Sequence, residues 1–305
     1  FSVRFSWKLD CNFSGINTLP AAAVDFDGDG DTEIFYPMPD GVLNLFDNEV
    51  MAEGFPQYRE PIPHLYTWDG DSFYIPMQTS NIVRLRKMNR HGSRYIMNLM
   101  DYSWDSHPVD VGDALILPLK QLGSNNTDLY RLQKTDNNLE LITTLPDTLS
   151  ANLSYVRNSS GNWTQNYLYA VFRNDGHKLL IWDLDSGLSE LATLNVPADS
   201  TIISIGIAPF TNWRTLIVQC TNSLYAFDID PMLPNFAHAK QVSSIVLADG
   251  FPFVFDPGSS APFTVEDVDS NRRLEVIIAA ENQVYIVDYS GSNISPASMY
   301  LGESD

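Results

Sequence analysis

The sequence has few basic residues and no long apolar run. Its 18 lysines and arginines stand against 38 aspartates and glutamates, which leaves a formal net charge of −20. Because a surface of that sign repels phosphate groups, we expect nucleic acid and anionic membranes to be poor partners. No segment approaches the roughly 20 consecutive apolar residues that cross a bilayer. The sequence therefore predicts no membrane span.

Cysteine and the recognisable catalytic motifs are also scarce. Cys11 and Cys220 are too few for a disulfide framework and are not spaced like zinc ligands, and whether they form one bridge stays open. The chain has no P-loop, dinucleotide fingerprint or nucleophile motif. Five histidines without metal-ligand spacing are expected at the surface or in loops: His64, His91, His107, His177 and His238. We therefore expect no catalytic residue.

Helical periodicity is nearly absent, and a β-hairpin pattern takes its place. Two segments rich in Val, Ile, Leu, Tyr and Phe flank a turn rich in Asn, Asp, Gly and Ser, which tolerate the left-handed backbone of tight hairpins. The pattern recurs about every 40 to 60 residues, the range of propeller repeats. The predicted pairs are 33–38 with 42–47, 72–77 with 82–85, 114–119 with 128–132, 167–172 with 178–184, 215–220 with 224–228, and 275–280 with 284–289.

This period predicts one all-β domain over residues 1–305, a single β-propeller with six blades, seven being the alternative. The approximate blades are 17–60, 61–105, 106–150, 151–198, 199–248 and 249–290. We expect residues 1–9 to supply the outer strand of the last blade, because ring closure removes an exposed sheet edge. The tripeptide Gly-Phe-Pro occurs at 54–56 and again at 250–252, which adds residue-level repetition.

Residues 25–33 carry the strongest chemical signal. Acidic side chains alternate along this short loop, and glycines stand where the backbone must turn sharply. Calcium takes six to eight oxygen ligands at about 2.3 to 2.6 Å, and such alternation can wrap one ion without distant residues. The alternative is an Asp/Gly-rich turn without metal.

Residues 267–275 form a second, degenerate copy. Oxygen donors stand at the first, third, fifth and ninth positions, with a backbone carbonyl at the seventh: Asp267, Asp269, Asn271, Glu275 and the carbonyl of Arg273. Asn replaces one acid, and arginines replace a glycine and an aspartate, which weakens the attraction for a cation. The alternative is a metal-free loop stabilised by an Arg–carboxylate pair. Two shorter acidic segments, 68–71 and 110–113, are interpreted as turns.

The first loop, with its flanking apolar strands, resembles the FG-GAP/VCBS repeat of integrin-α propellers and many bacterial surface proteins. In that family the loop binds calcium between the first two strands of a blade. The resemblance covers about 35 residues at each end of the chain and reaches the middle only through the hairpin period. Carried over by motif position, the ligands are Asp25, Asp27, Asp29, the carbonyl of Asp31, and Glu33, where the family usually has Asp.

The resemblance implies an extracellular or cell-surface recognition or adhesion module with structural Ca²⁺, and a protein or glycan ligand on a propeller face. Two alternatives remain: a self-assembling subunit of a surface filament, and a carbohydrate-active enzyme or lectin. Residues 102–107 form a polar and aromatic loop that either contacts such a ligand or packs as an ordinary turn. Six glycosylation sequons permit secretion: Asn12, Asn125, Asn152, Asn158, Asn162 and Asn293.

Overall fold

The computed structural model describes residues 21–47, 50–64, 66–160, 163–173, 176–185, 188–197, 200–211, 215–231, 242–256, 258–280 and 283–295. Over these residues it contains β-strands and no helix. No helix capable of crossing a membrane is found among them. The chain separates into two compact units, Phe1–Met100 and Asp101–Asp305.

The first unit contains two antiparallel sheets. The first sheet has the order β1-β2-β3-β4, with β5 also paired to β3. Its strands are β1 Ala22–Val24, β2 Glu33–Pro37, β3 Val42–Asp47, β4 Val50–Met51 and β5 Gln57–Tyr58. The second sheet has the order β6-β7-β8-β9. Its strands are β6 Thr67–Trp68, β7 Phe73–Thr79, β8 Ile82–Asn89 and β9 Gly92–Met100.

The second unit contains four sheets of antiparallel strands. The third sheet comprises β10 Tyr102–Trp104, β11 Val109–Asp110, β12 Ala114–Gln121, β13 Thr127–Gln133 and β14 Leu139–Leu145. The fourth comprises β15 Ser154–Ser160, β16 Trp163–Arg173, β17 His177–Asp183 and β18 Leu188–Thr193. The fifth comprises β19 Ile202–Ala208, β20 Thr215–Cys220, β21 Ser223–Pro231, β22 Val242–Leu247 and β23 Phe253–Val254. The sixth comprises β24 Thr264–Glu266, β25 Glu275–Ala280 and β26 Gln283–Val287.

The six sheets are the blades of a six-bladed β-propeller, so the predicted fold class is confirmed. Every predicted hairpin is present as two directly paired strands of one sheet. The sixth sheet has three strands among the described residues, and the segment 1–9 predicted to complete it lies outside them. The extent of the single domain and the ring closure stay predictions.

Apolar side chains on both faces of the central strands explain this architecture. Residues 114–119 of β12 and all of β20 are buried, which is the burial pattern of a strand covered on both faces. The four hydrophobic clusters each combine residues from two consecutive sheets: the first and second, the third and fourth, the fourth and fifth, and the fifth and sixth. Each fully buried Leu, Ile or Phe contributes about 1.5–3 kcal/mol. Packing between sheets therefore stabilises each unit.

The repeated Gly-Phe-Pro tripeptides occupy the same structural position. In both copies a phenylalanine N–H donates to an alanine carbonyl three residues earlier, at 3.1 Å from Phe55 and 3.2 Å from Phe251. Each copy then leads into a two-residue strand, β5 or β23, which pairs with the third strand of its own sheet. The repeated tripeptide therefore marks the same type of connection at the end of both blades, after β4 and after β22.

Candidate functional site

The first acidic loop connects β1 to β2, the first two strands of its sheet. One oxygen from each of Asp25, Asp27 and Asp29 lies within 4.8 Å of the others. The Oδ1 atoms of these residues accept backbone N–H bonds from Gly28 at 2.7 Å, Asp29 at 3.1 Å and Asp31 at 2.8 Å. The loop's own backbone therefore holds three carboxylates together on its exposed side.

Two glycines give this loop its shape. Gly28 has φ +81° and Gly30 has φ +96°, in the left-handed region that a Cβ disfavours. A Cβ on Gly30 would meet nothing within 4 Å, whereas one on Gly28 would overlap Nη1 of Arg90. That guanidinium donates to the carbonyl oxygen of Asp27 at 2.8 Å. The exposed Arg90 therefore ties the loop to the β8–β9 turn within the first unit.

Glu33, at the last position of the loop, is 3% exposed and begins β2. Its Oε2 accepts the N–H of Phe26 at 2.5 Å. Burial raises the pKa of this carboxyl, and the bond from Phe26 opposes that rise. Glu33 does not belong to the cluster of three carboxylates, which is formed by Asp25, Asp27 and Asp29. That the backbone carbonyl of Asp31 is a metal ligand stays a prediction.

The second acidic loop connects β24 to β25, again the first two strands of a sheet. One oxygen from each of Asp267, Asp269 and Glu275 lies within 4.8 Å of the others. The Oε2 of Glu275 accepts the N–H of Val268 at 2.8 Å, which is the bond that Glu33 makes in the first loop. Asp269 Oδ1 accepts the N–H of Asn271 at 3.0 Å, as Asp27 does for Asp29.

The second loop keeps this shape without glycine. Ser270 has φ +62° and Arg272 has φ +70°, at the positions of the two glycines in the first loop. Asn271 Oδ1 accepts the N–H of Arg273 at 2.7 Å. The Arg273 guanidinium lies 4.1 Å from the centre of the Tyr289 ring. The side chain of Arg273 therefore packs on an aromatic ring. That its backbone carbonyl is a metal ligand stays a prediction.

Both acidic clusters can hold a metal ion. Two unit charges 4.8 Å apart repel each other by about 1 kcal/mol even in water, and by more where the loop is buried. In the second loop, Oδ1 of Asp267 is buried and has no hydrogen-bond partner. Because an unpaired buried carboxylate oxygen is costly, a bound cation would satisfy it. The oxygen-only donor set fits a hard cation.

The shorter acidic segments are turns, as predicted. Asp69 Oδ1 accepts the N–H of Ser72 at 2.8 Å between β6 and β7. Asp110 Oδ1 accepts the N–H of Gly112 at 2.7 Å between β11 and β12. The polar loop 102–107 is largely packed, with Trp104 only 5% exposed. Its Ser106 hydroxyl donates to the side chain of Asn152 at 2.7 Å.

Sequence reasoning missed His177. The expectation that the histidines lie at the surface or in loops is wrong for this residue, which begins β17 and is 1% exposed. No motif surrounds it, because its neighbours come from segments distant in sequence. Cys220, in β20, is a free thiol buried to 3% exposure, and burial raises its pKa to about 11. The cysteine that could pair with it, Cys11, lies outside the described residues.

The fold is similar to that of many solved structures. BBS1N in complex with ARL6DN is 11% identical, with 89% of this chain and 79% of that chain covered and a TM-score of 0.55. The SapL1 lectin in complex with alpha methyl fucoside is 12% identical, with 92% and 98% covered and a TM-score of 0.52. Sqt1 of Saccharomyces cerevisiae is 12% identical, with 90% and 84% covered and a TM-score of 0.50.

No family model matches this chain, and no curated protein matches it. At the low identities of the structural neighbours, the similarity carries fold and not function. What the comparisons and the geometry establish together is a β-propeller with two acidic clusters that can hold a metal ion.

Proposed function

We propose that this chain is an extracellular recognition module whose two acidic loops bind structural Ca²⁺. The observation that carries the proposal is the equivalence of the two loops. Each loop joins the first two strands of its sheet, and in each the N–H of the second residue donates to the carboxylate of the ninth. Each also brings three carboxylates together, from positions 1, 3 and 5 in the first loop and from positions 1, 3 and 9 in the second. Two loops far apart in sequence share these features, which favours a common ligand over chance.

The role of the ion follows from the short edge strands. Both β1 and β24 have three residues and only three paired positions with the next strand. An ion held by the following loop would fix the start of the second strand relative to the edge strand. Because the unfolded chain lacks this site, binding adds to the free energy of unfolding. Flexible all-oxygen loops suit Ca²⁺ better than Mg²⁺, which demands near-ideal octahedral geometry.

Recognition is proposed from the fold and from chemistry. Among the structural neighbours, BBS1N is in complex with ARL6DN and the SapL1 lectin with a methyl fucoside. Propellers of this fold therefore carry both protein and sugar ligands, which supports a protein or glycan partner here. Extracellular calcium is abundant enough for weak sites of about 10⁻⁴ to 10⁻³ M. The sequon residues Asn125 and Asn293 are exposed, which is compatible with a secreted glycoprotein.

A non-catalytic role is supported by the described nucleophiles. The raised pKa of Cys220 keeps that thiol protonated at neutral pH. Ser150 lies 3.1 Å from Nδ1 of His177, but Nε2 of that ring has no hydrogen-bond partner. A catalytic serine–histidine pair often uses a carboxylate to orient the base, and no carboxylate among the described residues is hydrogen-bonded to His177.

Calcium titration of metal-free protein, followed by calorimetry and thermal melting, tests the proposal. At a hundredfold excess of Ca²⁺ over the dissociation constant, each site should add about 2.7 kcal/mol, which corresponds to several degrees in Tm. The test variant is Asp27→Asn with Asp29→Asn, which keeps the oxygen acceptors of the loop but removes two charges. The matched control is Asp136→Asn with Asp256→Asn, two exposed residues outside both loops.

The test variant should lose one binding event and part of the Tm increase, and the control should keep both. If metal-free protein showed no calcium heat and no Tm increase, the calcium role would be wrong. If the control lost as much as the test variant, the effect would come from net charge and not from the loop.

A further inference from the structure

A pocket of about 200 Å³ lies in the second unit, at the end of the fourth sheet where β16 turns into β17. The chain segments that enter the fourth and fifth sheets complete its wall. Its polar lining consists of Thr148, Ser150, Arg173, His177, Ser200 and Thr201. One water needs only about 10–15 Å³ of such space. The pocket is therefore large enough for a small polyatomic ligand.

Backbone hydrogen bonds fix the wall of this pocket. Arg173 donates its N–H to the carbonyl of Thr148 at 3.2 Å, and Ser150 donates to the carbonyl of Val171 at 2.7 Å. On the other side, Thr221 donates to the carbonyl of Thr201 at 3.2 Å. The first two bonds join β16 to the segment that enters the fourth sheet, and the third joins the β20–β21 turn to the segment that enters the fifth sheet. The backbone around the lining side chains is therefore held in place by hydrogen bonds.

The lining has the opposite charge character to the rest of the chain. Its described residues supply a guanidinium, an imidazole and four hydroxyls and no carboxylate, in a protein of net charge −20. Two carboxylates among the described residues next to it accept hydrogen bonds from backbone N–H groups. Asp147 accepts the N–H of Thr148 at 2.7 Å, and Asp105 accepts the N–H of Leu149 at 2.8 Å. Donors therefore dominate this pocket.

His177 adds a buried group with unused hydrogen-bonding capacity. It is 1% exposed, its Nδ1 lies 3.1 Å from the hydroxyl of Ser150, and its Nε2 is buried without a hydrogen-bond partner. Arg173 lies directly opposite across the hairpin and is exposed. A single negatively charged ligand would therefore meet the guanidinium, a hydroxyl and, through that hydroxyl, the imidazole.

We propose that this pocket binds a small oxyanion, either as a free ion or as the sulfate, phosphate or carboxylate group of a larger ligand. Arg173 supplies the charge, because a guanidinium matches the oxygens of such groups with two parallel donors. The hydroxyls of Thr148, Ser150, Ser200 and Thr201 supply the remaining donors. The inference is independent of calcium, since the pocket and the acidic loops share no residue.

Anion binding should be coupled to protonation of His177. In the free pocket, burial and then the charge of Arg173 lower the pKa of His177, while the backbone of Pro197 and of Ser200 opposes this. Among the described residues, the hydroxyl of Ser150 and the protonated thiol of Cys220 beside Ser200 also lie near this ring, and neither carries a charge. An anion favours the imidazolium, which donates Nδ1–H to Ser150 and so turns that hydroxyl proton toward the anion. Binding should therefore strengthen as the pH falls.

Sulfate titration at constant ionic strength tests the proposal, with isothermal calorimetry and the NMR shift of the His177 ring as readouts. Sulfate keeps its charge between pH 5.5 and 7.5, so any pH dependence belongs to the protein. We expect tighter binding at pH 5.5, a raised His177 pKa in the complex, and about a tenfold or greater loss of affinity in Arg173→Gln. The control Arg94→Gln removes another exposed arginine charge, from β9, and should bind sulfate like the parent protein.

Further titrations identify the ligand class. Tighter binding of glucose 6-sulfate than of sulfate would assign the pocket to an anionic sugar, and equal binding would assign it to the free ion. Ser150→Ala should keep binding but lose most of its pH dependence. The proposal is overturned if sulfate does not bind at millimolar concentration, if Arg173→Gln binds as well as Arg94→Gln, or if uncharged glucose binds as tightly as its sulfate ester. Repeating the titration with EDTA separates these outcomes from a failure of the calcium proposal.

Discussion

Alanine at the two glycines of the first acidic loop should destabilise the protein by different amounts. Both glycines have positive φ, so a Cβ at either site imposes the strain of a left-handed L-residue. Only at Gly28 would the new Cβ also overlap the guanidinium of Arg90, because the space beside Gly30 is open. The pair therefore separates backbone strain from a side-chain contact within one loop.

The magnitudes follow from these two terms. Left-handed backbone costs an L-residue about 1–2 kcal/mol, which sets the loss expected for Gly30→Ala. In Gly28→Ala the end of the flexible Arg90 side chain can move away, but its 2.8 Å bond to the carbonyl of Asp27 is then lost. A surface bond of this kind contributes at most about 1 kcal/mol. We therefore expect Gly28→Ala to cost about 0.5–1 kcal/mol more than Gly30→Ala.

Urea unfolding of metal-free protein measures both losses, and a double-mutant cycle with Arg90→Ala assigns the difference. In the Arg90→Ala background the two alanine variants should cost the same, because the contact no longer exists. If Gly28→Ala remained the more costly change in that background, Arg90 would not be the cause. If both variants were neutral, the positive φ values of the loop would be wrong.

Three further outcomes follow from the structure. Ser270→Gly with Arg272→Gly should raise the free energy of unfolding by about 1 kcal/mol in urea, since relief of left-handed strain outweighs the entropy cost of glycine, and a loss of stability would contradict this. The pKa of His177 is lowered in the folded protein, so the neutral imidazole contributes to the free energy of unfolding. This contribution is complete above the unfolded pKa of about 6.5 and is lost as the pH falls through the folded pKa. His177→Gln should therefore flatten the decline in urea stability between pH 7.5 and 5.5, and an unchanged slope would refute the assignment. In a Cys11→Ser background, the Cys220 thiol should react with a disulfide reagent at pH 8 only after unfolding, and rapid reaction of native protein would show that it is not buried.

The fold was largely predictable because its signals are local. Each predicted hairpin, such as β2 with β3 or β25 with β26, consists of two apolar strands that a short segment connects. The edge strands were harder to predict, because β4, β5 and β6 have two residues each and gain their conformation from the strands beside them. Sequence patterns that short carry no periodicity.

The sequence by itself determined the central hairpins and the two acidic loops, since alternating carboxylates and turn residues act on neighbours along the chain. Only the tertiary structure decided that Ser270 and Arg272 adopt the backbone of the first loop's glycines, and that an oxygen of Asp267 is buried without a partner. It also decided the polar pocket around His177, whose lining residues come from three separate segments. Burial and electrostatic environment depend on side chains that only folding brings together. The distances between residues that are far apart in the sequence are set by the tertiary structure.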